Sequence, residues 1–271
     1  MSKQAIGWIG GLVVIGVAGV IAVTLYRSPP PTTQITPLPV TTPAPASTTP
    51  PPPVQHPISA VQSVPAAAST SALPSLEHSD ALIAKELESL AGGEAWRSLL
   101  IPRDLIPHIV ATIDALPRHS MSESILPLRT PRGAFKVAQV HGQTQINPQN
   151  FARYAPYMRL IKMLDSKNLV AWYVHNYPLF QKAYRQLGYP QGYFNNRLIY
   201  VINNLMATPE VKLPIVLQQP NVLYLYANPR LEALSAGQKM LLRSGPNNEA
   251  KIKAKLRTIR AILTGQHLNK P

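Results

Sequence analysis

The residues with the best spacing for chemistry are Asp104 and His108, four apart on one face of a helix, as metal ligands and acid–base pairs often are. Neither has a third partner in sequence, and the same spacing describes an ordinary surface ion pair. His141 falls in a turn and His175 among aromatic residues, where structural roles account for both. The chain has no cysteine, which excludes thiolate catalysis, disulfides and Cys-ligated zinc. It contains no HExxH, GxSxG or SxxK motif and no phosphate-cradling glycine loop, the usual signatures of hydrolases and nucleotide-binding enzymes. Only 12 acidic residues are present, none paired as glycoside cleavage requires. No catalytic residue, metal or cofactor is implied. An enzyme reading survives only as a cell-envelope hydrolase with an unrecognised site.

Two other sets of residues suit binding. The last helix carries Ile252, Leu256, Ile259 and Leu263 in one stripe, flanked by Lys251, Lys253, Lys255, Arg257 and Arg260. Such a helix packs by its stripe and turns a basic face outward, either merely solvated or able to hold an anionic surface. The second set is the tyrosines between Tyr154 and Tyr193, interleaved with Arg153, Arg159, Lys162, Lys182, Arg185 and Arg197. Helical spacing places most of these rings in a core. The alternative is an aromatic surface for an acidic polymer, with Tyr154, Tyr157 and Tyr189 as its candidates.

The elements that must hold these residues begin at about Leu76. Ser79 is placed as the N-cap of a helix through Leu82, Ile83, Leu87 and Leu90. A second helix covers Arg103 to Leu116, with Pro107 in its first turn. Ala134–Val140 and Thr144–Ile146 form a hairpin about a His141-Gly142 turn. Helices with breaks run from Asn147 to Leu187, and another spans Phe194 to Ala207. A second β-like run, Ile215–Leu217 with Val222–Leu225, is available to pair with the hairpin. Helices over Ala233–Leu242 and Asn247–Leu263 close the chain. The fold class is mostly α with a small β-hairpin or short sheet (α+β), over residues 76–264. A tail follows at 265–271.

A different segment precedes this domain. After a short tail at residues 1–4, residues 5–26 are uncharged and apolar nearly throughout. Twenty-two residues at about 1.5 Å each give roughly 33 Å, enough for a single transmembrane helix. Trp8 and Tyr26 stand near its ends, and the run is longer than a signal peptide's apolar stretch. Gly7/Gly11 and Ala18/Ala22 are small-xxx-small pairs, a face for homodimer formation or ordinary glycine content. Residues 27–75 read as a Pro/Thr-rich disordered tether, and Ser28 to Ser75 holds no Asp, Glu, Lys or Arg. At about 3.1 Å per residue it reaches at most roughly 150 Å.

The net charge is +14. Leu76 to Pro127 holds eight acids and four bases, whereas Leu128 to Pro271 holds four acids and twenty bases. The two parts of one domain thus attract each other, with a large basic excess left over.

The block LSAGQKMLLRSGP at 234–246, KIKAKLR at 251–257, Arg153-Tyr154-Ala155-Pro156-Tyr157, Leu187-Gly188-Tyr189-Pro190 and Ala207-Thr208-Pro209 together resemble the proteobacterial family known as domain of unknown function 3014. The resemblance runs from about Leu73 to Leu263. It implies an anchor, a Pro-rich spacer and this domain in a Gram-negative envelope, and it supplies no activity and no site residues. Where that family tends to have acids after the Gly-Tyr-Pro turn, Asn195-Asn196 stands here, which argues against an essential carboxylate pair. The expectation is an inner-membrane protein with a cytoplasmic N-terminus and a periplasmic domain. Lys3 and Arg27 nearly balance across the span, so the uncharged tether and the resemblance decide the orientation. Its partners are the membrane and peptidoglycan, anionic lipid or an envelope protein complex; nucleic acid enters only if the topology is inverted.

Overall fold

The structure, a computed structural model, describes residues 53–61, 72–90 and 93–265. The transmembrane expectation at residues 5–26 lies outside the described residues. Among the described residues no helix is long and apolar enough to cross a membrane.

Among the described residues eleven α-helices surround two cores. They are α1 (Asp80–Leu90), α2 (Glu94–Arg97), α3 (Leu105–Ala115), α4 (Gln149–Ala152), α5 (Ala155–Met163), α6 (Ser166–His175), α7 (Tyr177–Gln186), α8 (Phe194–Met206), α9 (Pro229–Glu232), α10 (Ala236–Ser244) and α11 (Pro246–Leu263). Four short strands, β1 (Val137–Val140), β2 (Gln143–Ile146), β3 (Val216–Gln218) and β4 (Leu225–Tyr226), form one antiparallel sheet in the order β1-β2-β3-β4. The mostly helical α+β architecture follows the sequence pattern. His141 and Gly142 both have positive φ, 48° and 74°, as a two-residue hairpin loop needs to match strand twist. The second β run pairs with the first through Thr144 opposite Leu217.

Two helix starts differ from expectation. The Ser79 hydroxyl is buried and donates back to the Leu76 carbonyl, so it does not cap α1. The closing pair begins at Ala236 and not Ala233, because Ser235 and Gln238 form a reciprocal capping box. That arrangement satisfies two orphan groups at the helix start and fixes it there.

The larger core is helical. α3 packs on α7 and α8 on α11, with Ile109, Val110, Ile113, Phe180, Ala183, Leu198, Ile202, Ile252, Leu256 and Ile259 all in this one core. Aromatic rings join α6, α7 and α8: Trp172 meets Phe180 edge-on at 5.6 Å, and Phe180 stacks on Phe194 at 5.8 Å. Glu86 of α1 accepts from Trp172 Nε1 at 2.8 Å and from Asn176 Nδ2 at 2.9 Å, tying the acidic N-terminal part to the basic remainder. A smaller core lies under the sheet, built on Ile146, Ile215, Leu217, Tyr226 and Leu242.

Composition assigns residues 53–61 to the tether, but the structure seats them on the domain. Val61 is buried in the helical core and Ile58 packs against it. Main-chain atoms of this segment bond to Tyr193, Asn195 and Asn196 around the start of α8. Proline content predicts an extended backbone, and Pro57 has it, with φ −65° and ψ 134°. What composition misses is that Ile58 and Val61 give the segment something to bury.

Candidate functional site: a basic groove between two helices

α11 has three sides, set by what packs on each. Ile252, Leu256, Ile259 and Leu263 form its inner stripe and all are buried. On one flank Lys253 is also buried, at 4% exposure, and cannot belong to a basic surface. Its Nζ meets Glu249 at 2.7 Å and donates to the Thr208 carbonyl. Burial raises the Glu249 carboxyl above the ordinary range, with Lys253 opposing the shift. The expectation for Lys253 is therefore corrected: it is a buried ion-pair partner under the turn after α8.

The opposite flank faces α5 across an open groove of about 1240 Å³. Lys251 and Lys255, one turn apart on α11, line it together with Arg159 and Lys162 of α5. No Asp or Glu contributes to the lining. The floor and end are apolar, with Phe151, Met158, Ile161 and Leu213. Arg159, Lys162 and Lys251 are exposed, whereas Lys255 is half-buried and its Nζ donates to the Leu164 carbonyl. Desolvation pulls the Lys255 amine below its usual range, with Asp165 acting in the other direction. Four cations that share one groove repel one another, so an anion that neutralises them is attracted more strongly than by any one alone.

The groove's floor depends on Gly245, which precedes α11 with φ 93° and ψ 156°, a conformation that only glycine adopts readily. A Cβ there would stand 2.5 Å from the Phe151 ring. The absent side chain lets that ring lie against the helix start.

The other candidates separate. Arg257 is exposed but outside the groove lining, and Arg260 is half-buried. Tyr154 and Tyr157 are 5% and 2% exposed and form no aromatic surface. The Tyr157 hydroxyl donates to the Arg129 carbonyl at 2.7 Å. Tyr189 stacks on Tyr184 at 4.6 Å and donates to Asp114, so it too is built into the fold. Among the interleaved bases, Arg153 clamps the carbonyls of Pro131, Arg132 and Gly133, Lys182 pairs with Glu77, and Arg197 pairs with Asp114. Arg159 and Lys162 are the ones that reach the groove. Their bearing on α11 is a tertiary fact with no sequence signal beyond their charge.

Asp104 and His108 acquire no third ligand. The Asp80 carboxylate accepts from the Asp104 and Leu105 amides at 2.7 and 2.8 Å, which shapes the start of α3. Among the described residues no group of three His, Cys, Asp or Glu could hold a metal ion. His141 serves the hairpin turn, and His175 ends α6 half-buried.

Residues 105–260 match the family described as a protein of unknown function, DUF3014. The match spans more than half of the chain, and the protein belongs to that family. No curated protein and no solved structure matches the chain.

Proposed function

We propose that this is a membrane-anchored binding or scaffold module whose domain holds an anionic component of the bacterial cell envelope in the α5–α11 groove. The observation that carries the reading is the convergence of Arg159, Lys162, Lys251 and Lys255 on one groove with no acid in its lining. The apolar floor beneath them suits a ligand with both charge and nonpolar bulk. Peptidoglycan, with its acidic peptides, and anionic phospholipid both meet that description. Binding without chemistry accords with a sequence that carries no HExxH, GxSxG or SxxK motif.

The anchor at residues 5–26, the inner-membrane location and the periplasmic position of the domain belong to the same proposal. They rest on the apolar run and the uncharged segment after it. A reporter active only outside the cytoplasm, fused after Pro271, should work. Activity solely from a cytoplasm-dependent reporter would invert the topology and favour a nucleic-acid ligand for the same cations.

A fragment beginning at Pro53 retains every described residue and tests the groove. It should sediment with sacculi or with anionic phospholipid vesicles, and the two materials distinguish the sources. Binding should weaken at high salt, because screening shortens the reach of exposed charges. Arg159→Gln, Lys162→Gln and Lys251→Gln together should reduce binding at least tenfold. Exposed substitutions usually change stability by less than about 0.5 kcal/mol each, so the melting curve should move little. Lys255 is left intact because its amine holds the Leu164 carbonyl. Undiminished binding by the triple variant would remove the groove from the reading.

A further inference from the structure

We infer that the start of α8 is a peptide-binding site, occupied here by the chain's own residues 53–61. Its ligand is a segment of the form Pro-x-x-x-Pro that bends at Gln55-His56 and enters a 3-10 turn at Ile58–Ala60.

The contacts define a clasp that reads main chain. The Asn196 side-chain oxygen accepts from the Gln55 amide at 3.1 Å and the His56 amide at 2.9 Å, and its nitrogen donates to the Pro53 carbonyl at 3.0 Å. Asn195 Nδ2 donates to the His56 carbonyl at 2.8 Å. The Ile58 amide donates to the Tyr193 hydroxyl at 2.7 Å. All five bonds go to backbone atoms of the segment.

The side chains that hold the segment are themselves held by residues of the domain. Asn195 is fully buried, and its side-chain oxygen accepts from the Tyr173 hydroxyl at 3.2 Å. Tyr193 lies 5.7 Å from the Tyr177 ring. Gln181 bonds the Gly192 carbonyl and the Phe194 amide, holding the turn that presents Tyr193. A side-chain amide that both donates and accepts, as Asn196 does, satisfies main-chain groups of a bound segment that has no strand beside it.

The prolines set the register. Amide donors are needed at Gln55, His56 and Ile58, while Pro53 and Pro57 occupy positions where no donor is used. A proline at any of the three donor positions would remove a bond. Ile58 and Val61 then supply the apolar anchor. The partner certain to carry this pattern is a second copy of the protein. Exchange of an identical element between copies reproduces every native contact and is a low-cost route to a dimer. The clasp is distinct from the basic groove, and its test does not depend on that reading.

The experiment uses the purified full chain. In the wild type, the amides of Gln55, His56 and Ile58 should be protected from hydrogen exchange at least tenfold relative to an unstructured peptide. Asn196→Ala should remove the protection at Gln55 and His56. A full chain carrying Gln55→Pro and His56→Pro has its own segment disabled. It should bind a labelled synthetic peptide of residues 53–61 at least tenfold more tightly than the wild type does, in a fluorescence anisotropy titration. A peptide with the same two prolines should not bind. Unprotected amides in the wild type would overturn the inference even if the disabled chain fails to fold. So would a folded disabled chain that ignores the peptide, or one that binds it equally well after Asn196→Ala.

Discussion

Raising the pH from 9 to 11 should lower the melting temperature of this domain by at least roughly 10 °C. Burial pushes the phenols of Tyr154, Tyr184 and Tyr226 up to about 12, from an ordinary value near 10. Tyr157, Tyr173 and Tyr177 are raised in the same direction by the same cause. A neutral phenol suits the apolar interior, and the phenolate does not. Below pH 10 both folded and unfolded chains hold the proton, so these groups confer no pH dependence. Above pH 10 the unfolded chain releases it first, and stability is lost progressively up to about pH 12, where the folded state also ionises. Each group contributes about 1.4 kcal/mol per pH unit across that window. The three tyrosines at about 12 therefore remove about 4 kcal/mol at pH 11, a large fraction of the 5–15 kcal/mol typical of a domain, and Tyr157, Tyr173 and Tyr177 add to that loss. For a domain of this size that corresponds to roughly 2–4 °C per kcal/mol. Tyrosinate absorbance recorded during the titration checks the cause. If all 11 tyrosines ionise together near pH 10 while the fold persists, burial of the phenols is refuted.

Asp114→Ala should destabilise the domain by about 3 kcal/mol. The carboxylate is 1% exposed on α3, and two guanidinium groups and a phenol converge on it. Arg197 Nε lies 2.9 Å from Oδ1, and Oδ2 accepts from Arg118 and from the Tyr189 hydroxyl. Its contact raises the Arg118 guanidinium further above its normal range. Breaking a buried pair by removing one member costs about 3–5 kcal/mol, because the other charge is left uncompensated. The low end applies, since Arg197 is 24% exposed and still donates to the Asp114 carbonyl. Arg118→Ala is the control. Its side chain is 57% exposed, and exposed pairs are worth at most about 1 kcal/mol. Urea midpoints for the two variants should differ accordingly. A loss below 1 kcal/mol for Asp114→Ala would show that the cluster does not hold α3 against α8.

What was legible in the sequence is local. The His141-Gly142 loop, the β1–β2 hairpin and the inner stripe of α11 follow from periodicity and turn chemistry, because their causes lie within a few residues. Lys253 shows where that reasoning ends. Glu249 and Lys253 are spaced like any surface ion pair on a helix, and only Thr208, at the turn after α8, covers them. Tyr154 and Tyr157 share the helical spacing of core residues, and burial settles what spacing leaves open. The groove needed two facts that sequence keeps apart: basic residues on α5 and on α11, and the approach of the two helices. Residues 53–61 were hidden by composition, since an uncharged Pro-rich stretch looks the same whether or not Ile58 and Val61 find a pocket.

The seat of residues 53–61 also decides how the domain meets a mechanical load. If residues 27–75 act as a leash, tension along it reaches the domain at Pro53, not at Leu76. The slack then corresponds to the residues between Tyr26 and Pro53, a span of at most roughly 80 Å at about 3.1 Å per residue, about half of what composition suggests. Tension would arrive at the five main-chain bonds around Tyr193, Asn195 and Asn196. Those bonds would part before α1 bears any force. The residues seated on the domain at 53–61 would then be released, so the attachment behaves as a fuse ahead of the fold.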